Sequence, residues 1–215
     1  MHGAHPLGII AHLWRYPVKS LAPESLERAN VDASGLEGDR RSAFFVTSPE
    51  HARTSKTYRG KEHNLLHTTS DAGRALSLAA ARGVALERRD DGPHFDLGTV
   101  SLVVDLWLGD LERLTGLELD PQRFRPNLFV RSDPSFELRE PALCGAILSA
   151  GAVRLRVTEP IGRCVTTTYD VASGESNPEV LRAVARHRDN VMGVYCDVVA
   201  PGTLERDAEL TFELD

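Results

Sequence analysis

The sequence lacks the features that mark several large classes of protein. Its three cysteines are odd in number and widely spaced, so they predict no disulfide framework and favour a reducing compartment. Its formal net charge is −6, whereas general binding to nucleic acid or to an anionic membrane needs a basic surface. No apolar run approaches the roughly 20 residues that span a bilayer. We therefore expect a cytoplasmic protein that binds neither nucleic acid nor membrane.

Familiar targeting and catalytic motifs are also missing. The first residues, MHGAHPLG, show no basic segment followed by a long apolar core, so we expect no signal peptide. The sequence contains no GxGxxG, Walker or GxSxG motif. His63 and His67 are four residues apart, but neither an HExxH motif nor an evident third ligand accompanies them, so zinc binding is not expected.

What is present is an ordinary globular composition with many short β-strand signals. The 215 residues, of which 41% are hydrophobic, leave room for one large or two small domains. Helices are predicted at residues 71–81, where a strand is the alternative, at 106–115 and at 177–188. Strands are predicted at residues 9–18, 24–31, 42–47, 84–88, 100–104, 128–132, 146–148, 153–158, 191–199 and 209–214. Many short strands with few helices favour a barrel or sandwich over a doubly wound sheet.

Cys164 stands between Arg163 and a run of three threonines, in the stretch IGRCVTTTYDVASGE. A positively charged neighbour favours the thiolate form of a cysteine, which is the form that binds metal or attacks a substrate. The alternative is a buried cysteine that fills the core as a small hydrophobe. Cys144, in PALCGAI, and Cys196, in an apolar strand, fit that alternative better. Cys164 is therefore the candidate ligand or reactive thiol.

Basic side chains recur where predicted strands meet loops. In YPVKS, a proline-fixed loop offers Lys19 and Ser20 to an anionic group. In GDRR, Arg40 leaves a glycine turn toward a predicted strand, where alternation would turn one arginine inward and Asp39 is a possible ion-pair partner. A lone lysine in a loop is usually solvated, and an inward arginine is usually paired, so each signal is weak by itself.

A further basic segment is RFRPN. In an extended chain Arg123 and Arg125 share one face, with Phe124 opposite. Guanidinium groups suit phosphates and planar heteroaromatic ligands. We therefore predict that the cations of these separate segments converge on one anion-binding pocket, namely Lys19, Arg40, Arg125 and Arg163.

In this order the segments resemble the MOSC family, which is named for the C-terminal domain of molybdenum-cofactor sulfurases. The similarity is greatest to the branch of the mitochondrial amidoxime-reducing component and its bacterial relatives. The segments that carry it are LWRYPVKS, GLEGDRRSAFFV, RFRPNLFV, RCVTTTYDVASGE and GVYCDVVAPGTL, which span nearly the whole chain. The resemblance implies a β-rich (α+β) fold, in which a MOSC-type β-barrel at residues 96–215 is intertwined with a smaller β-rich module at residues 1–95.

The resemblance also implies a cofactor site. In the family, the cysteine after the arginine ligates molybdenum beside the two dithiolene sulfurs of the pterin, and that position is Cys164 here. A soft thiolate suits such a thiophilic metal. The implied cofactor is the molybdenum cofactor, Mo-molybdopterin. The positions that match the family's surface for the pterin and its phosphate are Lys19, Ser20, Arg40, Arg125, Asn127, Arg163 and Tyr195.

The implied activity is reduction of small N-hydroxylated or N-oxide compounds. No cysteine-rich ferredoxin segment follows the MOSC part, so the electrons are expected from separate donor proteins. Two alternatives stay open from the sequence. One is a carrier of sulfur or of molybdenum cofactor that uses a persulfide on Cys164. The other is a ligand-binding module in which the cysteine is inert.

Overall fold

Strands dominate the part of the chain that the computed structural model describes, residues 3–214. The α-helices within it are α1 (Ala72–Ala80), α2 (Asp105–Thr115) and α3 (Pro178–His187). The strands are β1 (His5–Arg15), β2 (Glu24–Leu26), β3 (Arg28–Asp32), β4 (Gly35–Leu36), β5 (Ala43–Val46), β6 (Leu86–Arg89), β7 (Val100–Val104), β8 (Leu128–Ser132), β9 (Ile147–Ala150), β10 (Val153–Gly162), β11 (Val191–Ala200), β12 (Gly202–Glu205) and β13 (Glu209–Glu213). Within residues 3–214 no helix is both long and apolar enough to cross a membrane.

Seven of these strands close a β-barrel. Their order is β13, β9, β10, β11, β7, β8 and β1, and β1 pairs back to β13. All neighbours are antiparallel except β7 and β8, which run parallel. Strand β7 has the sequence VSLVV and is buried throughout, as expected for a strand that is covered on both sides. Closure leaves the barrel strands without a free edge.

Gly8 allows β1 to pair on both sides at the point where the barrel closes. The first residues of β1 pair with β13, and the residues from Gly8 onward pair with β8. A Cβ atom at Gly8 would lie 2.0 Å from the carbonyl oxygen of Arg131 in β8. Only glycine fits this close approach of two backbones.

A smaller module packs around a core of its own. This second core joins the β5–β6 pair to α1 and consists of Val18, Leu21, Phe44, Val46, Tyr58, Leu66, Ala75, Ala79 and Val84. Strand β1 lies in the N-terminal part of the sequence, yet it belongs to the barrel. The predicted fold, a β-barrel intertwined with a smaller β-rich module, is thus confirmed, while the boundary between residues 95 and 96 stays a prediction.

All three predicted helices form, and side-chain caps begin two of them, α1 and α3. Asp71 accepts a hydrogen bond from the Arg74 amide at the start of α1, which explains why residues 71–81 form a helix rather than the alternative strand. Asn177 caps α3 by accepting from the Glu179 amide, and Pro178 occupies the first helical position. Helix α2 packs on the barrel through buried side chains, Trp107 among them.

Candidate functional site

The segments with the predicted site residues meet at one cleft, which encloses about 690 Å³ including its open mouth. We call it the basic cleft. Its predicted lining residues are Lys19, Ser20, Arg40, Arg125, Arg163, Cys164 and Tyr195, and Asp96, Ser101, Arg123 and Thr166 line it as well. The four cations that were predicted to converge therefore share one cavity, although up to 144 residues separate them in sequence (163 − 19).

Arg40 reaches the basic cleft from the turn that precedes β5, so strand alternation does not set the direction of its side chain. Its backbone is left-handed, with φ 50°, and the strand begins only at Ala43. Asp39, which is 1% exposed, pairs with the Arg40 guanidinium as predicted. The same carboxylate accepts a hydrogen bond from the Tyr16 amide at 2.7 Å. Asp39 thereby fixes Arg40 to the start of the YPVKS segment.

The segment with Arg125 is also not extended. Pro121–Phe124 forms a 3-10 turn, and Asp120 caps it by accepting from the Gln122 amide. Arg125 follows in a left-handed conformation, with φ 52°. The prediction that Arg123 and Arg125 share one face of an extended chain is therefore wrong, because the aspartate-proline start favours a capped turn. Arg123 forms a salt bridge with Asp170 at 2.8 Å, which ties this turn to the loop after Cys164.

Two guanidinium groups lie against the ring of buried Tyr16. The Arg125 and Arg40 guanidinium carbons are 4.3 and 4.7 Å from its centroid. Burial raises the pKa of Tyr16 to about 12, so the phenol is neutral and its hydroxyl donates to the Pro126 carbonyl at 3.1 Å. Burial, with Arg40's charge assisting, lowers the pKa of Arg125 to about 10. The ring stabilises two neighbouring cations through cation–π contact.

Arg163 is both a cation of the basic cleft and an anchor for the backbone. Its Nε donates to the Met192 carbonyl at 2.7 Å, and its Nη1 donates to the Phe124 carbonyl at 2.8 Å. Burial lowers its pKa to about 10, so it stays protonated at neutral pH. These bonds fix β11 and the 3-10 turn at Pro121–Phe124 on either side of the residue that precedes Cys164.

Cys164 precedes a short helical turn, although β-branched threonines often favour strands. Val165–Thr168 forms a 3-10 turn. The Thr167 hydroxyl donates to the Cys164 carbonyl at 2.9 Å, and the Thr168 hydroxyl donates to the Val165 carbonyl at 2.7 Å. Such local bonds from threonine to the backbone compete with strand pairing. They hold exposed Cys164 on the wall of the basic cleft.

The other two cysteines behave differently from each other. Cys196 is buried in β11, and burial raises its pKa, so it is the apolar filler that was predicted. Cys144 is exposed, and the prediction that it is a buried filler is wrong. It follows directly on a 3-10 turn, Glu140–Leu143, which leaves it at the surface.

Lys19 and Ser20 line the basic cleft as predicted, but Asn127 lies beneath it. The Lys19 ammonium pairs with Asp96 at 2.6 Å. Asn127 is 1% exposed, accepts from the Ser101 amide at 3.1 Å and donates to the Trp14 carbonyl at 3.1 Å. Its side-chain amide is thus engaged within the protein, and it supports the cleft instead of facing a ligand.

Comparison with known proteins identifies the family. A sequence profile of the MOSC domain matches residues 99–211, which is more than half of the chain, and the MOSC N-terminal beta barrel domain matches residues 7–89. The chain belongs to the MOSC domain family. No curated protein matches it.

A solved structure from Bacillus subtilis shows the same fold as this MOSC protein at low sequence identity, and two further structures are less similar. The YUAD protein from Bacillus subtilis is 15% identical, with a TM-score of 0.62 over 100% of both chains. YiiM from Escherichia coli is 14% identical, with a TM-score of 0.47 over 98% of this chain and 69% of that one. YiiM from Geobacillus stearothermophilus is 21% identical, with a TM-score of 0.42 over 54% of each.

His67 also contributes to the site of this MOSC protein, although the sequence suggested for it only a zinc-ligand role, which was not expected. Its Nδ1 lies 3.2 Å from Nη1 of Arg125. Burial and the charge of Arg125 lower the pKa of His67 to about 3, so the ring is neutral at physiological pH. A guanidinium can only donate, and Nδ1 therefore accepts this hydrogen bond. His67 thereby helps to orient Arg125.

The lowered pKa of His67 predicts a specific loss of stability in acid. Unfolding returns the pKa from about 3 to its ordinary 6.5, so between these values the unfolded chain binds a proton that the native ring excludes. The stabilisation is complete above pH 6.5 and is lost toward pH 3, and it amounts to at most about 5 kcal/mol. Urea unfolding of His67→Gln should therefore depend less steeply on pH in this window than that of the wild type.

The exposed His187, at the end of α3, provides the matched control variant, His187→Gln. Each variant is compared with the wild type at pH values from 7 down to 4, with the free energy of unfolding as the readout. An identical pH dependence for His67→Gln and the wild type would contradict the assignment of His67 as a buried neutral ring.

Proposed function

We propose that this MOSC protein binds the molybdenum cofactor in the basic cleft, with Cys164 as the protein ligand to the metal. The observation that carries the proposal is an exposed cysteine that shares one cavity with the four predicted cations and with Arg123. A thiolate is the ligand type that a thiophilic metal favours, and guanidinium groups bind phosphates.

The charges of the basic cleft fit an anionic group. Asp96 neutralises Lys19, and Asp39 neutralises Arg40. Among the described residues, Arg125 and Arg163 have no carboxylate partner, and Nη2 of Arg125 is buried without a hydrogen-bond partner. Buried polar groups are rarely left without a partner, so an unsatisfied guanidinium nitrogen at a cavity wall favours a ligand that accepts from it.

The residues of the cleft divide into three roles toward the pterin cofactor. Lys19, Ser20, Arg40 and Arg125 would hold the pterin and its phosphate, with Tyr195 beside them. Cys164 would hold the metal, on a turn whose geometry Thr167 and Thr168 fix. Arg163 would fix the backbone around Cys164 and add positive charge, and Asn127 would support Arg40 from below.

For the reaction, we propose reduction of N-hydroxylated or N-oxide compounds in the cytoplasm. When bound, the cofactor supplies two-electron oxygen-atom transfer, and the protein supplies binding and access. Reduction of an N-hydroxyl group consumes two electrons and two protons and releases water. The three widely spaced cysteines provide no set of ligands for an iron–sulfur cluster, so we assign the electrons to separate donor proteins. Nucleic acid and membrane are not assigned as partners.

The reductase proposal predicts turnover with an artificial donor. Protein from cells that make the cofactor is expected to contain stoichiometric molybdenum and to oxidise reduced viologen when an amidoxime or an N-oxide is added. The rate should fall to background in Cys164→Ala, which removes the proposed metal ligand.

Other outcomes of the same experiment favour the other functions. Molybdenum without turnover of either substrate would contradict the reductase and favour a cofactor carrier. Cyanide-labile sulfur without metal would favour a persulfide carrier. Absence of both metal and labile sulfur would favour a ligand-binding module with an inert cysteine.

A further inference from the structure

The basic cleft continues beyond Cys164 into a second lobe. We define the second lobe by Arg59, Gly60, Lys61 and His67, which line it together with residues that also line the basic cleft. Lys19, Arg125 and Cys164 are among these shared residues. Cys164 therefore stands where the two spaces join, and a molecule in the second lobe has access to its thiol.

The chain between Arg59 and Lys61 is fixed in place on this lobe. The Arg59 amide donates to the Glu62 carboxylate at 2.8 Å, and the Arg59 guanidinium donates to the same carboxylate at 3.2 Å. A Cβ atom at Gly60 would lie 1.9 Å from Nε2 of His67, so the absence of a side chain lets the backbone pack on the His67 ring. The neighbouring Lys61 is thus held beside the lobe.

The second lobe has a surplus of positive charge. Glu62 neutralises Arg59, and Asp96 neutralises Lys19. Lys61 is exposed and, within residues 3–214, forms no ion pair, and it is not among the residues assigned to the cofactor. Asp96 is the carboxylate that lines the lobe, and its charge is already matched by Lys19. An anion gains from such a site, whereas a cation is repelled.

We propose that the second lobe binds an anionic substituent, such as a carboxylate, of the N-hydroxylated substrate, and that Lys61 determines this specificity. The inference rests on the proposed function and names its substrate class. A substrate must bring its N–O group to the metal that Cys164 would hold, and the second lobe is the space that borders Cys164 apart from the basic cleft assigned to the cofactor. The anionic substituent of the substrate then faces Lys61 across the second lobe.

The test compares benzamidoxime with 4-carboxybenzamidoxime in the cofactor-loaded protein. In the wild type the carboxylated compound is expected to have the higher kcat/KM, and the preference should decrease as ionic strength rises. In Lys61→Glu the ratio of the two kcat/KM values should fall about threefold to tenfold, through KM, since a solvent-accessible charge pair has an effect of this size. Lys56→Glu is the matched control, because Lys56 is exposed in the same region and lies outside both lobes.

A second measurement tests this inference independently of the proposed function. The dissociation constants of the two amidoximes are measured by calorimetry on the same proteins, without an electron donor. If neither compound is reduced but Lys61→Glu still loses the preference for the carboxylated one, the reductase fails and the specificity site stands. An equal preference in wild type and Lys61→Glu would overturn the site. Loss of molybdenum from Lys61→Glu, but not from Lys56→Glu, would also overturn it, because the cofactor would then occupy the second lobe.

Discussion

Cys164→Ala is expected to lose nearly all bound molybdenum while keeping the fold of the wild type. Within residues 3–214 no group of three or more histidine, cysteine or acidic side chains is placed to hold a metal ion, and the proposed site offers the metal a single thiolate. Cys164 is the cysteine that lines the basic cleft. The 3-10 turn that holds it depends on its carbonyl and on two threonine hydroxyls, which alanine leaves in place.

Cys144→Ala and Cys196→Ala are the matched controls for this loss. Cys144 is exposed outside the basic cleft, and Cys196 is buried in the barrel. Both variants should keep the metal, although Cys196→Ala is expected to be somewhat less stable because it removes a buried side chain. Metal content per protein chain and thermal unfolding are measured on all three. Full occupancy in Cys164→Ala would refute the assignment of Cys164 as the ligand.

The barrel was predictable because its strands are short, apolar and separated by turn residues. Closure of the barrel was not, since it depends on β1 pairing with both β8 and β13 around Gly8. The sequence also misled where polar side chains cap a turn. Asp120 and the threonines after Cys164 bond to nearby backbone groups, so both segments form 3-10 turns instead of extended chain.

The basic residues of the site were visible in the sequence as cations at the ends of predicted strands. The residues that orient these cations could not be predicted, because each of them contacts a cation that is distant in sequence. The ring of Tyr16 contacts the guanidinium groups of Arg40 and Arg125. His67 accepts a hydrogen bond from Arg125, which is 58 residues away in sequence. Asn127 was assigned to the ligand by resemblance alone, and its burial is a property of the packed barrel.

A buried ion pair near the basic cleft gives the second prediction with a large expected effect, a loss of stability when the pair is broken. Glu140 and Arg188 are 2% and 4% exposed, and Nη2 of Arg188 lies 2.7 and 2.9 Å from the two carboxylate oxygens. The same carboxylate accepts from the Gly193 amide at 3.2 Å. The carbonyl of that peptide, on Met192, accepts from Arg163. The ion pair therefore holds the N–H side of the Met192–Gly193 peptide, and the carbonyl side of the same peptide anchors Arg163.

Glu140→Ala is expected to lower the free energy of unfolding by about 3–5 kcal/mol, because it removes the close partner of the buried Arg188 charge and leaves only the longer contact with Asp110, at 3.7 Å. It also leaves the Gly193 amide unsatisfied. The exposed pair of Arg206 and Glu27, 3.0 Å apart, provides the control, and Glu27→Ala should cost less than about 1 kcal/mol. Urea unfolding at pH 7 measures both values.

The double variant Glu140→Leu/Arg188→Met decides whether the cost of Glu140→Ala comes from the buried charge that Arg188 retains. Removing both charges while filling their volume should recover most of the lost stability, since a buried ion pair contributes little net stability over an apolar replacement. Molybdenum content should not recover fully, because leucine cannot accept from the Gly193 amide that steadies the Met192 carbonyl and, through it, Arg163. A double variant as unstable as Glu140→Ala would show that packing rather than charge is responsible. Full metal occupancy in an equally stable double variant would separate the ion pair from the cofactor site.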